Sequence, residues 1–347
     1  MQVSIIMPMR NAHETVRDAV DSILAQTHQQ WELLIIDDRS DDDSAAIVAA
    51  YEDTRIRLLR PEGRMHFAGA LNHGSGAATG DLVARMDADD VSLPERLAQQ
   101  VAFMDANPDV ALCGTWARTF GLGKPSQLRP PVSHSAIQAA VYFDCPFVHP
   151  SVMWRSAALD PDSMRYDGSF CPAEDYELWD RLVPQVRCAN IPAVLLSYRV
   201  RAGSMTTGDG WEMDTQATRI HQRQLERLGL RPTGDDALWH RRVGRGPGYR
   251  CKTREEFDVA TTHLCRLTTV RKNVSGKAGP AFDQQLADAW YRLCFHNLAL
   301  GRDILTAYNN SRIAPQVETS RGRRLALAAA FVKHATVGAA APAVSPE

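Results

Sequence analysis

Residues 3–107 repeat one local pattern: a short apolar run, a polar loop, then a stretch whose apolar residues recur at helical spacing. Val3-Ser4-Ile5-Ile6-Met7 reads as a buried first strand stopped by Pro8, with Pro8-Met9-Arg10-Asn11 as the loop at its carboxyl end. A helix over residues 15–26 would bury Val16, Ala19, Val20 and Ile23. A second strand, Trp31-Glu32-Leu33-Leu34-Ile35-Ile36, runs into Asp37-Asp38, and Ser40-Asp41-Asp42-Asp43-Ser44 supplies capping residues for the next helix. Residues 56–59 read as a third strand, 67–78 as a helix closed by Gly80, 82–86 as a fourth strand, 94–107 as a helix and 110–114 as a further strand. Strands that alternate with helices in this way predict an α/β fold, a doubly wound and mainly parallel sheet flanked by helices.

Beyond residue 114 the rhythm loosens. Residues 121–131 hold glycines and prolines without periodicity and read as a connecting loop, while 151–155 and 195–199 read as strands. Residues 201–210, with three glycines, read as a mobile loop. From residue 214 the pattern turns helical, over 214–228, 255–267 and 282–300, and the stretch 231–249, rich in Pro, Gly and Arg, marks a boundary. The expected organisation is therefore a catalytic domain over 1–230, a helical region over 231–336 and a disordered tail over 337–347. Arg321-Gly322-Arg323-Arg324 followed by an apolar helix former reads either as a packed C-terminal helix or as a segment that lies on an anionic membrane surface.

A formal charge of -2 and a pI near 6.6 argue against a protein that coats nucleic acid. The 7 cysteines form no C-x-x-C pair, which points to reduced thiols and a cytosolic setting. No charged leader with a cleavage site opens the chain, and no apolar run reaches the roughly 18 residues a membrane span needs, so neither secretion nor membrane spanning is expected.

The chemistry concentrates in Arg85-Met86-Asp87-Ala88-Asp89-Asp90, between the fourth strand and the helix after it. Open α/β sheets bind ligands at such strand-to-helix loops. Two carboxylates separated by one small residue can hold a hard divalent cation and, through it, a pyrophosphate. The structural alternative is that Asp89 or Asp90 caps the following helix. A second acidic group, Glu174-Asp175, opens a helix containing Leu178 and Leu182, where a carboxylate also complements the helix dipole.

Taken together, Val3 to Pro8 with Asn11, the turn Ile35-Ile36-Asp37-Asp38-Arg39-Ser40, Gly69 to Gly80 leading into Asp87-Ala88-Asp89, and Glu174-Asp175 before Leu178-Trp179 resemble an inverting family 2 glycosyltransferase of the GT-A fold. The resemblance covers about residues 2–205 and leaves the helical C-terminal part aside. It implies that Pro8 and Asn11 line the nucleotide loop, and that Asp38 meets the base or ribose. Arg64 would lie near the base and phosphates, or else be a solvated loop arginine. It further implies that Asp87 contacts the ribose or the metal shell, that Asp89 binds Mn²⁺ or Mg²⁺, and that Asp175 is the catalytic base, with Glu174 as its substitute or on the acceptor side.

One departure is Arg201, which stands where the family often has a histidine. An arginine does not ligate a metal but pairs bidentately with phosphate oxygens, so Arg201 is expected to hold the pyrophosphate. His149, in a His-Pro-Ser stretch like that of polysaccharide-building members, is expected on the acceptor side or as a buried hydrogen-bonded histidine. The implied partners are a nucleoside diphosphate sugar, UDP-linked by preference, and a glycan or lipid-linked acceptor at the inner face of a bacterial membrane, with no nucleic acid.

A dinucleotide oxidoreductase is excluded because Pro8-Met9-Arg10-Asn11 stands where G-x-G-x-x-G is needed. A haloacid-dehalogenase-type phosphatase would carry its Asp motif after the first strand, not the fourth. The remaining rival is a sugar-nucleotide or glycan-binding subunit that keeps the fold without turnover.

Overall fold

The computed structural model describes residues 1–159, 162–201, 211–244, 249–274, 278–301, 303–311, 313, 322–323 and 325–330. The expected loop 202–210 and tail 337–347 lie outside the described residues, as do Arg321 and Arg324 of the basic segment. The chain divides into two compact units, Met1–Val141 with Cys145–Ala217, and Tyr142–Asp144 with Thr218–Glu347.

The first unit is built on a nine-stranded sheet. Its first half follows the sequence rhythm: β1 (Val3–Met9), α1 (Val16–Leu24), β2 (Trp31–Asp37), α2 (Ser44–Ala49), β3 (Ile56–Leu59), α3 (His66–Ala77) and β4 (Leu82–Arg85). β1 pairs in parallel with both β2 and β4, and β2 with β3. β1 and β2 are buried along their whole length, which is why they read as unbroken apolar runs rather than alternating ones. Val16, Ala19, Val20 and Ile23 of α1 close one face of this half.

Pro8 corrects the expectation of a loop, because β1 continues through it to Met9. Ile6 turns its carbonyl to β4, accepting from the Met86 amide at 3.0 Å, and Pro8 faces the same side two residues on. The β4 register ends at Ile6 opposite Arg85, so the missing N–H of Pro8 breaks no ladder bond.

The second half is mixed. β5 (Val91–Ser92) precedes α4 (Arg96–Ala106), β6 (Leu112–Gly121) and β7 (Gln127–Leu128), then α5 (His134–Ala140), β8 (Met153–Arg155), α6 (Glu174–Leu182) and β9 (Cys188–Val200). β8 runs antiparallel between β4 and β6, β6 pairs in parallel with β9, and β5 pairs antiparallel with β9. Three expectations change here. Residues 121–131 contain β7, a hairpin partner of β6, and His149–Ser151 forms a 3-10 turn ahead of a shorter β8. The strand expected over 195–199 is the end of the 13-residue β9. Pro192 concealed its first half, and it is accommodated at a register shift, since Ile191 faces Thr115 while Val194 faces Trp116.

In the second unit, α7 (Trp211–Arg227) starts before the boundary, and α8 (Asp236–Gly244), α9 (Arg254–Thr269), α10 (Ala278–His296) and α11 (Asp303–Asn310) follow. α8 occupies a stretch expected to be a connection. The core holds Phe257, Leu264, Phe282 and Trp290, and Thr253 caps α9 by accepting from the Glu256 amide at 3.2 Å. His240 and His263 are buried here with their ring nitrogens 3.0 Å apart, and burial drives both imidazoles far below their usual value, which keeps them neutral. Among the described residues no helix is long and apolar enough to cross a membrane.

Candidate active site

β4 ends at Arg85, and the chain then turns through Asp87-Ala88-Asp89-Asp90 before β5. Because β5 intervenes, neither Asp89 nor Asp90 caps α4, and the structural alternative for this stretch fails. The carboxylates of Asp87, Asp89 and Asp90 each offer an oxygen, all within 4.8 Å of one another.

Three arginines hold this trio. Arg85 is buried and meets Asp87 with both terminal nitrogens, at 2.6 and 2.5 Å. Arg199, near the end of β9, donates its amide to Asp90 Oδ1 at 2.7 Å and its Nε to the Asp89 carbonyl at 2.7 Å. Arg201 Nε lies 2.9 Å from Asp89 Oδ2. Burial raises the Asp87 carboxyl above its usual range against the pull of Arg85, and burial with the charge of Asp87 raises Asp90 well above it. The second oxygen of Asp90 is buried without a hydrogen-bond partner. Hard oxygen donors, mutual repulsion and an unmatched buried oxygen are what a divalent cation would satisfy, so these residues fit one.

A second group forms beside the first. The turn His149–Ser151 leads into β8, whose pairing with β4 brings it alongside Arg85; the Arg85 amide donates to the Val152 carbonyl at 3.0 Å. His149 Nε2 is 2.9 Å from the Tyr166 hydroxyl, and Nδ1 is 3.9 Å from Asp175 Oδ2. Burial, with the charge of Arg85 acting in the same direction, holds His149 well below the usual imidazole value. The contact is therefore a neutral ring facing a carboxylate, not an ion pair. Asn72 pins Tyr166 by accepting from its amide at 2.8 Å and donating to its carbonyl at 2.9 Å.

Asp175 lies in the first turn of α6, where Oδ1 accepts from the Tyr176 amide at 2.6 Å and the Cys145 thiol donates to Oδ2 at 3.6 Å. Its carboxylate is partly exposed, whereas Glu174 is 2% exposed. Burial and then the charge of Asp175 push the Glu174 carboxyl up to about 7. The exposed member of this pair is thus the one available as a base. Arg85 and His149 both border the Phe67 ring, at 5.5 and 6.4 Å from its centroid, which ties the two groups together.

The loops after β1 and β2 interlock further along the same sheet edge. Asn11, with φ of 49°, accepts from the Asp41 amide at 2.9 Å and donates its own amide to Ser40 Oγ at 3.1 Å. Arg39 and His66 also adopt positive φ, at 60° and 57°. Non-glycine residues held there cost free energy, and such positions cluster at ligand-binding loops. Asp38 is buried, accepts from the Met65 amide at 2.5 Å and lies 3.8 Å from Nε of the half-exposed Arg64. The acidic run 41–43 serves this loop more than the helix after it: Asp42 accepts from the His13 and Ser44 amides at 3.1 and 3.0 Å.

Sequence reasoning assigns no role to Arg85, Arg199 or Tyr166, and offers Asp90 only as a helix cap. An arginine at the end of a fully buried strand was the one available signal for Arg85, since a buried charge requires a partner. The partners of Arg199 lie up to 181 residues away in sequence and leave no local trace.

The family model for glycosyl transferase family 2 matches residues 4–161. Putative glycosyltransferase EpsE of Bacillus subtilis is 34% identical over 211 residues, which cover 58% of this chain and 74% of that protein. O-antigen biosynthesis glycosyltransferase WbnJ of Escherichia coli is 33% identical over 207 residues, 57% of this chain and 79% of that protein. Among solved structures, S. aureus TarS 1-349 in complex with UDP-GlcNAc superposes with a TM-score of 0.56 at 15% identity, covering 97% of this chain and 92% of that one. That likeness concerns the fold, and it matches the GT-A arrangement of a central sheet flanked by helices.

Proposed function

We propose, starting from the fact that the chain belongs to glycosyl transferase family 2 and is a glycosyltransferase, that it moves a sugar from a UDP-sugar to a hydroxyl of a glycan or lipid-linked saccharide, with inversion and with Mn²⁺ or Mg²⁺. The observation that carries this reading is the pairing of a carboxylate trio at the end of β4 with a separate, partly exposed carboxylate at the start of α6. The relatives named above include an O-antigen enzyme, which supports a role in bacterial surface polysaccharide assembly at the inner face of the membrane. UDP-GlcNAc in the TarS complex supports the donor class.

Asp89 and Asp90 would hold the cation, with Asp87 fixed beside them by Arg85. When bound, the cation would stabilise charge on the departing diphosphate. Arg201 would pair with the phosphate oxygens, and Asp38, Asn11, Pro8 and Arg64 would line the nucleotide side. Asp175 accepts the proton of the acceptor hydroxyl as oxygen attacks the anomeric carbon opposite the leaving group; no enzyme nucleophile is needed. His149 and Tyr166 stand beside that carboxylate on the acceptor side, and Glu174 supports it from within the core.

A panel of nucleoside diphosphate sugars, offered with polyprenyl-diphosphate saccharides, tests this. Transfer of one sugar is expected with its anomeric configuration reversed in the product, as read by NMR coupling constants. A retained configuration would exclude a single displacement assisted by Asp175. Donor binding without transfer to any acceptor would favour the non-catalytic subunit.

A further inference from the structure

We infer that Arg201 is the resident counter-ion of Asp89, and that it passes from this carboxylate to the donor's diphosphate as a divalent cation takes its place, so that cation and diphosphate bind as a pair. This rests on the metal-dependent donor site proposed above.

Arg201 Nε sits 2.9 Å from Asp89 Oδ2, on the carboxylate that the cation would require. Its placement follows from the end of β9. The Arg199 amide is tied to Asp90 Oδ1 and the Arg199 Nε to the Asp89 carbonyl, each at 2.7 Å, so the residue two further on is delivered to the trio. A third contact, Arg199 Nη2 to Asp18 Oδ2 at 2.8 Å, anchors the same strand end to α1. The Arg201 side chain is half-exposed.

A guanidinium cannot share a metal shell, and two cations on one carboxylate repel. A cation arriving alone must therefore break the pair between Arg201 and Asp89. A cation arriving with a diphosphate offers Arg201 a bidentate anionic partner in exchange for the one it loses. Each ligand then strengthens the other by the same factor.

The test is titration of Mn²⁺ alone, followed through the electron paramagnetic resonance signal of the free aquo ion, and then of inorganic pyrophosphate at saturating Mn²⁺. Pyrophosphate carries no base, so the outcome does not depend on which nucleotide the donor contains. For Arg201→Gln, Mn²⁺ alone is expected to bind about two- to fivefold more tightly, the range set by losing one exposed ion pair. Pyrophosphate is expected to bind at least about tenfold more weakly. Opposite signs in one variant are the signature. Arg187→Gln, which removes an equal charge paired with Asp109, is expected to change neither. Mn²⁺ binding no tighter in Arg201→Gln than in wild type, or an equal gain in Arg187→Gln, would overturn the inference while leaving the metal site standing. Pyrophosphate binding that Mn²⁺ does not strengthen in wild type, or that Asp89→Asn leaves unchanged, would instead remove the metal site and the inference with it.

Discussion

Asp175→Asn is expected to lower sugar transfer by about 10² to 10⁴, the usual worth of a positioned general base, with binding of donor and Mn²⁺ unchanged. The amide replaces the carboxylate almost isosterically and keeps an oxygen for the Tyr176 amide, while its nitrogen takes the place of the oxygen that faces the Cys145 thiol. What it loses is the capacity to take a proton. Glu174 cannot replace it, because it is buried in the core. Single-turnover transfer by Asp175→Asn within a factor of a few of wild type would move the base elsewhere, to His149 first.

Arg85→Met is expected to destabilise the fold by about 3 kcal/mol, the lower end of the cost of breaking a buried ion pair, because Asp87 keeps some access to water. Methionine fills the space but leaves the Asp87 carboxylate beside Asp89 and Asp90 without its counter-charge. Adding Asp87→Asn should restore part of that loss, with a coupling of about 0.5–3 kcal/mol in urea denaturation. Strictly additive losses would show that Arg85 acts through its packing against Phe67 instead.

How far the sequence predicts this architecture depends on whether a signal is local. β1 and β2 are legible because strands buried on both faces leave continuous apolar runs. β5 is two residues long and its sheet partner is the distant β9, so nothing near it in sequence marks it, and without it helix capping stays open for Asp89 and Asp90. β9 is concealed by Pro192, which a strand tolerates only where its register shifts. In the site, the short Asp-Ala-Asp spacing and the Glu-Asp pair carry their own signature. The interactions that set their charge come from Arg85, Arg199 and Arg201, and two of these join the trio from the far end of β9. Pairing across such distances is a property of the fold, not of any window of sequence.

A metal-dependent nucleotide-sugar site at the end of β4 is tested most directly by calorimetric titration of UDP into wild type and Asp89→Ala, in Mn²⁺ and in EDTA. Wild type is expected to bind UDP in Mn²⁺, and that binding is expected to disappear in EDTA and in the variant. UDP bound equally well in EDTA, or by Asp89→Ala, would contradict it.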